Sequence, residues 1–492
     1  MSAAGVDVAA KPVRSLVPAR LDRLPWARFH WLIVVGLGVS WILDGLEIQI
    51  VSQAGFQDSL HLTSADVGML GSVYLVGEVV GALFFGRITD RIGRRRIFIL
   101  TLAIYLIGSG LAGLSWNLAV LAAFRFIAGV GIGGEYSAIN SAIDELIPSH
   151  YRGRVDIAIN GTYWAGAALG ATANLYLLSS AVPSNLGWRI GFFIGPVLGL
   201  LIIGLRRHIP ESPRWQMTHG YEDEANATVD DIEQRVRASG HDLKPVDESR
   251  AIDLVPQKWI PYGVLVRTFL RKYPRRTALG FTLMATQAFL YNAIFFSYAL
   301  VLQHFFGISK SQTSLYFLPF AIGNLLGPLL LGPLFDTVGR RKMISGTYLI
   351  SGVLLAVSAA LFGGGHLSAT TQTIFWCIIF FFASAGASSA YLTVSEIFPL
   401  ELRGQAIAFF FSIAQIFGAI ATSLYGHLIG GANNANPPRG PLTMGYYLGA
   451  AVMIVGGIVA AVLAINAERK SLEDIADPMS KAPSSATAQA VA

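Results

Sequence analysis

Apolar runs of roughly 20 residues recur along the whole chain, each long enough to cross about 30 Å of hydrocarbon as a helix. Reading the runs against their breakers predicts spans near residues 30–51, 67–85, 97–114, 118–142, 157–179 and 190–205. A second set follows near 278–302, 313–334, 343–362, 371–393, 406–428 and 445–465. Between the sets, residues 206–276 are too polar to enter a bilayer. They include a charged helical stretch, 222–237, expected to lie in a solvated linker with short surface helices.

The expected fold is therefore all-α: a membrane protein of twelve transmembrane helices in two pseudo-symmetric six-helix bundles. The predicted organisation is an N-terminal tail (1–28), a first bundle (29–207), a central loop (208–274), a second bundle (275–467) and a disordered Ser/Ala-rich C-terminal tail (468–492).

Composition supports this reading. Hydrophobic residues make up 53% and charged residues only 13%, where soluble domains run nearer about 25% charged. The net charge of +6 does not indicate a nucleic-acid partner, because the basic residues sit in short clusters between apolar runs. Arg91, Arg94, Arg95, Arg96, Arg152, Arg154, Arg340, Arg341, Lys342, Arg403 and Arg469 all fall on one side of the predicted topology. Only Arg189, Lys310 and Arg439 fall on the other. That asymmetry puts both termini in the cytoplasm, with a bacterial inner membrane as the expected location. The basic tail before the first span carries no cleavage site, so that span is expected to be retained. The single cysteine, Cys377, excludes a disulfide framework or a cysteine metal cluster.

The two halves repeat. Gly86-Arg-Ile-Thr-Asp90-Arg91-Ile-Gly93-Arg94-Arg95-Arg96 is echoed by Gly332-Pro-Leu-Phe-Asp336-Thr-Val-Gly339-Arg340-Arg341-Lys342, in each case joining an even span to an odd one. Glu145-x-x-Pro148-x-x-x-Arg152-Gly153 recurs as Glu396-x-x-Pro399-x-x-x-Arg403-Gly404. Parallel repeats of this kind permit alternating access to a site between the halves. Gly93 and Gly339 are expected to allow tight turns, while Asp90 and Asp336 meet the neighbouring arginines. Glu145 with Arg152, and Glu396 with Arg403, are expected to close ion pairs that latch a cytoplasmic gate formed with Gly86, Arg91, Arg94, Arg95, Arg340 and Arg341.

These motifs resemble the major facilitator superfamily, and within it the sugar porters and metabolite:proton symporters. Pro210-Glu211-Ser212-Pro213-Arg214-Trp215 is similar to the sugar-porter signature after the sixth span. The likeness to sugar porters falters at the substrate positions: Gln287 and Asn292 match, but Thr286, Leu290, Asn160 and Tyr391 depart from the pattern. Asp44-Gly45-Leu46-Glu47 and Gly133-Gly134-Glu135-Tyr136 are instead similar to organic-acid symporters. The resemblance implies proton-coupled symport of a small polar metabolite, an organic or aromatic acid before a sugar or polyol. A non-transporting sensor built on the same scaffold is the rival reading from another class.

An ionisable side chain inside hydrocarbon is costly unless paired or facing a wet cavity. Glu47 and Arg125 lie at similar depth, and the resemblance makes them the expected proton switch, with Asp44, Glu78 and Glu135 as further coupling groups. Asn160, Trp164, Gln287, Tyr291, Asn292 and Tyr391 are the expected substrate contacts. No nucleophile with its base, P-loop or dinucleotide motif is present, so neither an enzyme nor a cofactor is expected. The expected partners are a small-molecule substrate, protons and the lipid bilayer, with the chain acting as a monomer.

Overall fold

The structure is a computed structural model that describes residues 13–52, 56–62, 64–177, 181–206, 208–255, 261–429 and 438–479. In the first half the spans are Arg28–Ser52, Ser64–Ile92, Arg94–Ala112, Leu118–Leu146, a fifth in two segments (Arg152–Gly161 and Tyr163–Leu177), and Ser184–Arg206. In the second they are Pro274–Phe306, Lys310–Thr337, Arg340–Gly363, Ala369–Glu396, Arg403–Ile429 and Arg439–Leu463. Among the described residues, 11 helices are long and apolar enough to cross a bilayer. Large apolar side chains such as Phe84, Leu200 and Val462 stand exposed on their outer faces, as a lipid-facing belt requires.

The fifth span departs from the single helix predicted. Its first segment carries Arg152, Asp156 and Asn160 and is too polar to cross alone. At the break, the Thr162 hydroxyl donates to Ile159 O (2.6 Å) and to Gly38 O of the first span (2.9 Å), competing with the helix ladder.

The repeated motif, read in sequence as a loop, is helical on both sides. Only Gly93 separates the second and third spans, at φ +100°, and Gly339 turns the chain at φ +113° in the second half. A side chain would be strained at either position. Spans two and four pack backbone to backbone, and a Cβ at Gly133 would lie 1.9 Å from the carbonyl oxygen of Glu78.

The tails and the central stretch are more structured than predicted. Val13–Ser15 pairs antiparallel with Ile252–Leu254. Val17 and Leu21 of the helix Val17–Asp22 share a buried apolar cluster with Val229, Ile232 and Val236 of the helix Glu222–Ala238. Arg20 and Arg23 reinforce this contact through Glu233, at 3.0 and 2.6 Å. The expected N-terminal tail is thus docked from residue 13 onward, because its apolar positions complete the stripe on the central helix.

The C-terminal tail needs a matching correction. Leu472–Ile475 forms a short helix capped by Ser471, whose side chain accepts from Asp474 N (3.2 Å), and Leu472 and Ile475 are buried. The rest of that tail, residues 480–492, lies outside the described residues, as does the N-terminal tail before residue 13.

Candidate functional site

A cavity of about 160 Å³ lies between the halves. All six residues expected to contact substrate line it: Asn160 and Trp164 from the fifth span, Gln287, Tyr291 and Asn292 from the seventh, and Tyr391 from the tenth. Aromatic rings dominate the wall. Trp164 lies 5.8 Å from Tyr291, Tyr136 lies 6.2 Å from Tyr391, and Trp41 meets Tyr136 edge-on at 4.2 Å. Several polar groups are held by neighbours: Tyr291 donates to Asn324 Oδ1 (2.8 Å), and the Asn160 amide donates to Asp156 O (2.8 Å).

Two of the expected coupling carboxylates face this cavity. Asp44 accepts hydrogen bonds from the hydroxyls of Tyr74 and Tyr136, each at 3.0 Å. Glu78 accepts one from the side chain of Gln415, which joins span two to span eleven across the halves. Glu47 and Arg125 stand behind this wall as a buried ion pair, Nη1 to Oε1 2.7 Å, with the guanidinium 3.9 Å above the Tyr74 ring centroid. Glu135 is buried in the fourth span and does not line the cavity.

Sequence reading passed over Trp41, Ser384, Ser388 and Gln415. Trp41 shares a helix face with Asp44, three positions away, and Ser384 and Ser388 stand four apart on one face. That spacing is the signal that would have found them; Gln415 has only the oddity of an amide in an apolar run.

The arginine-rich end carries the second cluster. Arg94 pairs with Glu145 (2.8 Å) and Asp90 (3.4 Å), and Arg340 pairs with Asp336 (2.7 Å) and Glu396 (3.2 Å), so each half holds one such triad. The expected pairs Glu145–Arg152 and Glu396–Arg403 are not formed within a half. They are exchanged between halves: Arg403 reaches Glu145 (3.7 Å) and Arg152 reaches Glu396 (3.7 Å). The two motifs face each other across the pseudo-twofold axis, which puts each arginine closer to the opposite carboxylate.

The aspartates cross as well. Asp90 accepts from the amides of Gly404 (3.2 Å) and Gln405 (3.0 Å) at the start of span eleven, and Asp336 accepts from Arg154 N (2.8 Å) at the start of the fifth span. Each satisfies amides that a helix N-terminus leaves open, where negative charge is favoured. Gly86 is buried where span eleven approaches, its carbonyl 3.0 Å from the place of a Cβ at Gly404. The side chains of Arg91, Arg95 and Arg341 lie at the surface of this cluster, and the Arg95 backbone N–H donates to Glu211 at 3.2 Å. These side chains stand exposed, and Arg341 donates to Ala461 O at 2.5 Å.

The segment after the sixth span completes the cluster. Glu211 accepts from Arg94 N (2.8 Å) and Ser212 N (3.0 Å) across the Gly93 turn, and burial raises its carboxyl above the usual range against those bonds. Arg214, fully buried, pairs with Asp22 (3.1 Å) and Glu473 (3.2 Å), tying both tails to the gate.

Comparison with known proteins follows the same lines. The profile of the family described as sugar (and other) transporter matches residues 45–477. The niacin transporter NiaP of Acinetobacter baylyi is 26% identical over 84% of this chain and 90% of its own length. The cis,cis-muconate transport protein of the same organism is 24% identical over 86% of this chain and 91% of its own. Among solved structures, the major facilitator superfamily proton:xylose symporter XylE bound to 6-bromo-6-deoxy-D-glucose superposes with a TM-score of 0.73 at 17% identity. The superposition covers 91% of this chain and 98% of that one.

Proposed function

The chain belongs to the sugar (and other) transporter family of the major facilitator superfamily, and from that premise we propose that it carries a small organic or aromatic acid together with protons by alternating access. One observation carries this reading. Within the spans Asp44, Glu47 and Glu78 are all buried; the Arg125 guanidinium pairs with Glu47 at 2.7 Å, while Asp44 is met by the hydroxyls of Tyr74 and Tyr136 and Glu78 by the amide of Gln415. Unpaired charge is expensive in such a low-dielectric setting, so the cluster is neutralised only by hydrogen ions or by a ligand.

The cavity itself has no lysine or arginine among its described lining residues. An acid anion entering it meets Asp44 and Glu78, and like charge repels it. Once each carboxyl holds a proton it becomes a donor, and the repulsion turns into recognition. Anion binding then requires hydrogen ions to bind as well, which is symport. The small volume and the facing rings of Trp164 and Tyr291 suit a flat ligand with one or two polar substituents. The relatives named for niacin and cis,cis-muconate support an acid. The amides of Asn160, Gln287 and Asn292 would equally serve a sugar or polyol, but only an anion meets the like-charge repulsion that makes protonation a condition of entry.

The positive-inside rule supports a cytoplasmic arginine-rich end with both termini on that side, and the bacterial relatives support an inner membrane. One chain supplies both halves of the cavity, so the monomer suffices.

The test uses purified protein in liposomes with an imposed pH gradient and a panel of aromatic acids, other carboxylates, sugars and polyols. We expect accumulation of an acid, lost in Glu47→Gln while counterflow exchange persists. Undiminished gradient-driven accumulation by Glu47→Gln would sink the coupling role of the pair, and uptake of a sugar or polyol with no acid transported would sink the acid.

A further inference from the structure

Tyr74, on the second span, touches both the buried ion pair and the cavity carboxylate. Its hydroxyl donates to Asp44 Oδ1 at 3.0 Å. Its ring lies 3.9 Å beneath the guanidinium of Arg125, and that guanidinium donates to Glu47 Oε1 at 2.7 Å. The side chain is 2% exposed. The backbone around it has no slack: a Cβ at Gly129, on the span that carries Arg125, would lie 2.2 Å from the carbonyl oxygen of Tyr74. Spans two and four therefore pack backbone to backbone here, and the Tyr74 side chain touches both Asp44 and Arg125.

We propose that Tyr74 is a positioning residue that ties the occupancy of Asp44 to the Glu47–Arg125 pair, so that ligand entry at the cavity and hydrogen-ion binding at the pair become one event. The inference rests on the proton-coupling reading above. While Asp44 is an ionised acceptor, the two hydroxyls of Tyr74 and Tyr136 converge on it, and the Tyr74 ring is held face-on beneath the guanidinium. That ring face is where a cation is attracted. When a ligand or a hydrogen ion occupies Asp44, the bond from Tyr74 weakens and the ring is free to tilt. Arg125 then loses one of its two anchors, and its hold on Glu47 changes with it.

Other titratable groups face the same cluster: Glu78 on the second span, Tyr105 on the third, Glu135 and Tyr136 on the fourth and Tyr163 on the fifth. A change in pH dependence must therefore be traced to Tyr74 through a second variant.

The experiment measures gradient-driven uptake and counterflow against pH, in proteoliposomes of the full chain, for wild type, Tyr74→Phe, Glu47→Gln and the double variant. Tyr74→Phe keeps the ring under Arg125 and removes only the hydroxyl. We expect it to keep counterflow within about twofold and to displace the pH midpoint of uptake by about one unit, tenfold in proton activity. In the Glu47→Gln background, where accumulation is already lost, it should leave the pH profile of counterflow unchanged, since it acts through that pair. A wild-type midpoint, or losses that simply add, overturns the inference. If Tyr74→Phe does not fold, 3-fluorotyrosine at position 74 keeps the shape and alters the hydroxyl's donation; an unmoved midpoint there is equally fatal. Glu47→Gln alone decides the parent reading, so the two failures are separable: accumulation intact in Glu47→Gln defeats proton coupling by the pair. Accumulation lost there, with a wild-type profile in Tyr74→Phe, defeats only the role of Tyr74.

Discussion

The segment from Pro210 to His219 shows how much single side chains contribute at the arginine-rich end. Glu211 holds the amides across the Gly93 turn and Arg214 ties the two tails together, while Trp215 donates its indole N–H to Asp90 O at 2.9 Å. His219 stacks on Trp215 with ring centroids 4.5 Å apart, and burial, with Arg94 nearby, pushes its imidazole down to about 4 from the ordinary 6.5. Between those values the folded protein binds fewer hydrogen ions than the unfolded chain. Stability from this residue is therefore complete above pH 6.5 and is lost as the pH falls toward 4. His219→Gln should flatten the melting temperature across that window, and an unchanged slope would assign the acid sensitivity elsewhere. At this scale the sequence is most readable where a polar group interrupts an apolar run. Asn160, Gln287, Asn292 and the buried carboxylates stood out for that reason, and the structure gathers Asp44, Glu78 and the amides around one cavity. Trp41 did not stand out, because an aromatic side chain in an apolar run has the same pattern whether it packs in the core or faces a cavity.

Helices here are set by backbone contact as much as by side chains. On the second span, Gly77 and Gly81 face the fourth, and Gly129 and Gly133 of the fourth face back, so the two carbonyl ladders meet. A methyl group at Gly133 has nowhere to go. Gly133→Ala is therefore expected to cost about 1–3 kcal/mol by forcing the spans apart. Gly71→Ala, on the same second span but with nothing within 4 Å of its Cβ, should leave the melting temperature unchanged. Equal effects of the two substitutions would show that helix propensity, not contact, governs the difference. The run of glycines in span four is legible in the sequence, but which helix it packs against is a tertiary fact. The break at Thr162 was hidden for a similar reason. A threonine hydroxyl disrupts a helix only when a second acceptor, here Gly38 O, lies within reach.

At the scale of the whole molecule, the lengths of the ion pairs divide the gate into parts that stay and a part that yields. Within each half the pairs of Arg94 and Arg340 to their nearest carboxylates are 2.8 and 2.7 Å, and they bind helices that share a bundle. Across the halves Arg403 lies 3.7 Å from Glu145 and 4.0 Å from Asp144, and Arg152 lies 3.7 Å from Glu396; Glu145 and Glu396 are already held by Arg94 and Arg340. Separation of the halves at this end therefore breaks the longer pairs first and leaves the Arg94 and Arg340 pairs within each half intact. The motif repeat made the two triads legible in the sequence, while the exchange between halves depends on an axis that no linear pattern records. Removing Arg403 leaves Glu145 still paired with Arg94 but takes away the guanidinium that lies 4.0 Å from the buried carboxylate of Asp144, so the variant loses the latch and weakens the closed end further. In a Cys377→Ser background with spin labels at Ile92→Cys and Val338→Cys, Arg403→Gln should add a longer population to the distance distribution between the halves. A shift of about 1–2 kcal/mol, roughly 5- to 30-fold in the open-to-closed ratio, is the scale such a coupling carries. An unaltered distribution would mean that the crossed aspartates, Asp90 bonded to the amides of span eleven and Asp336 to that of the fifth span, hold the end closed by themselves.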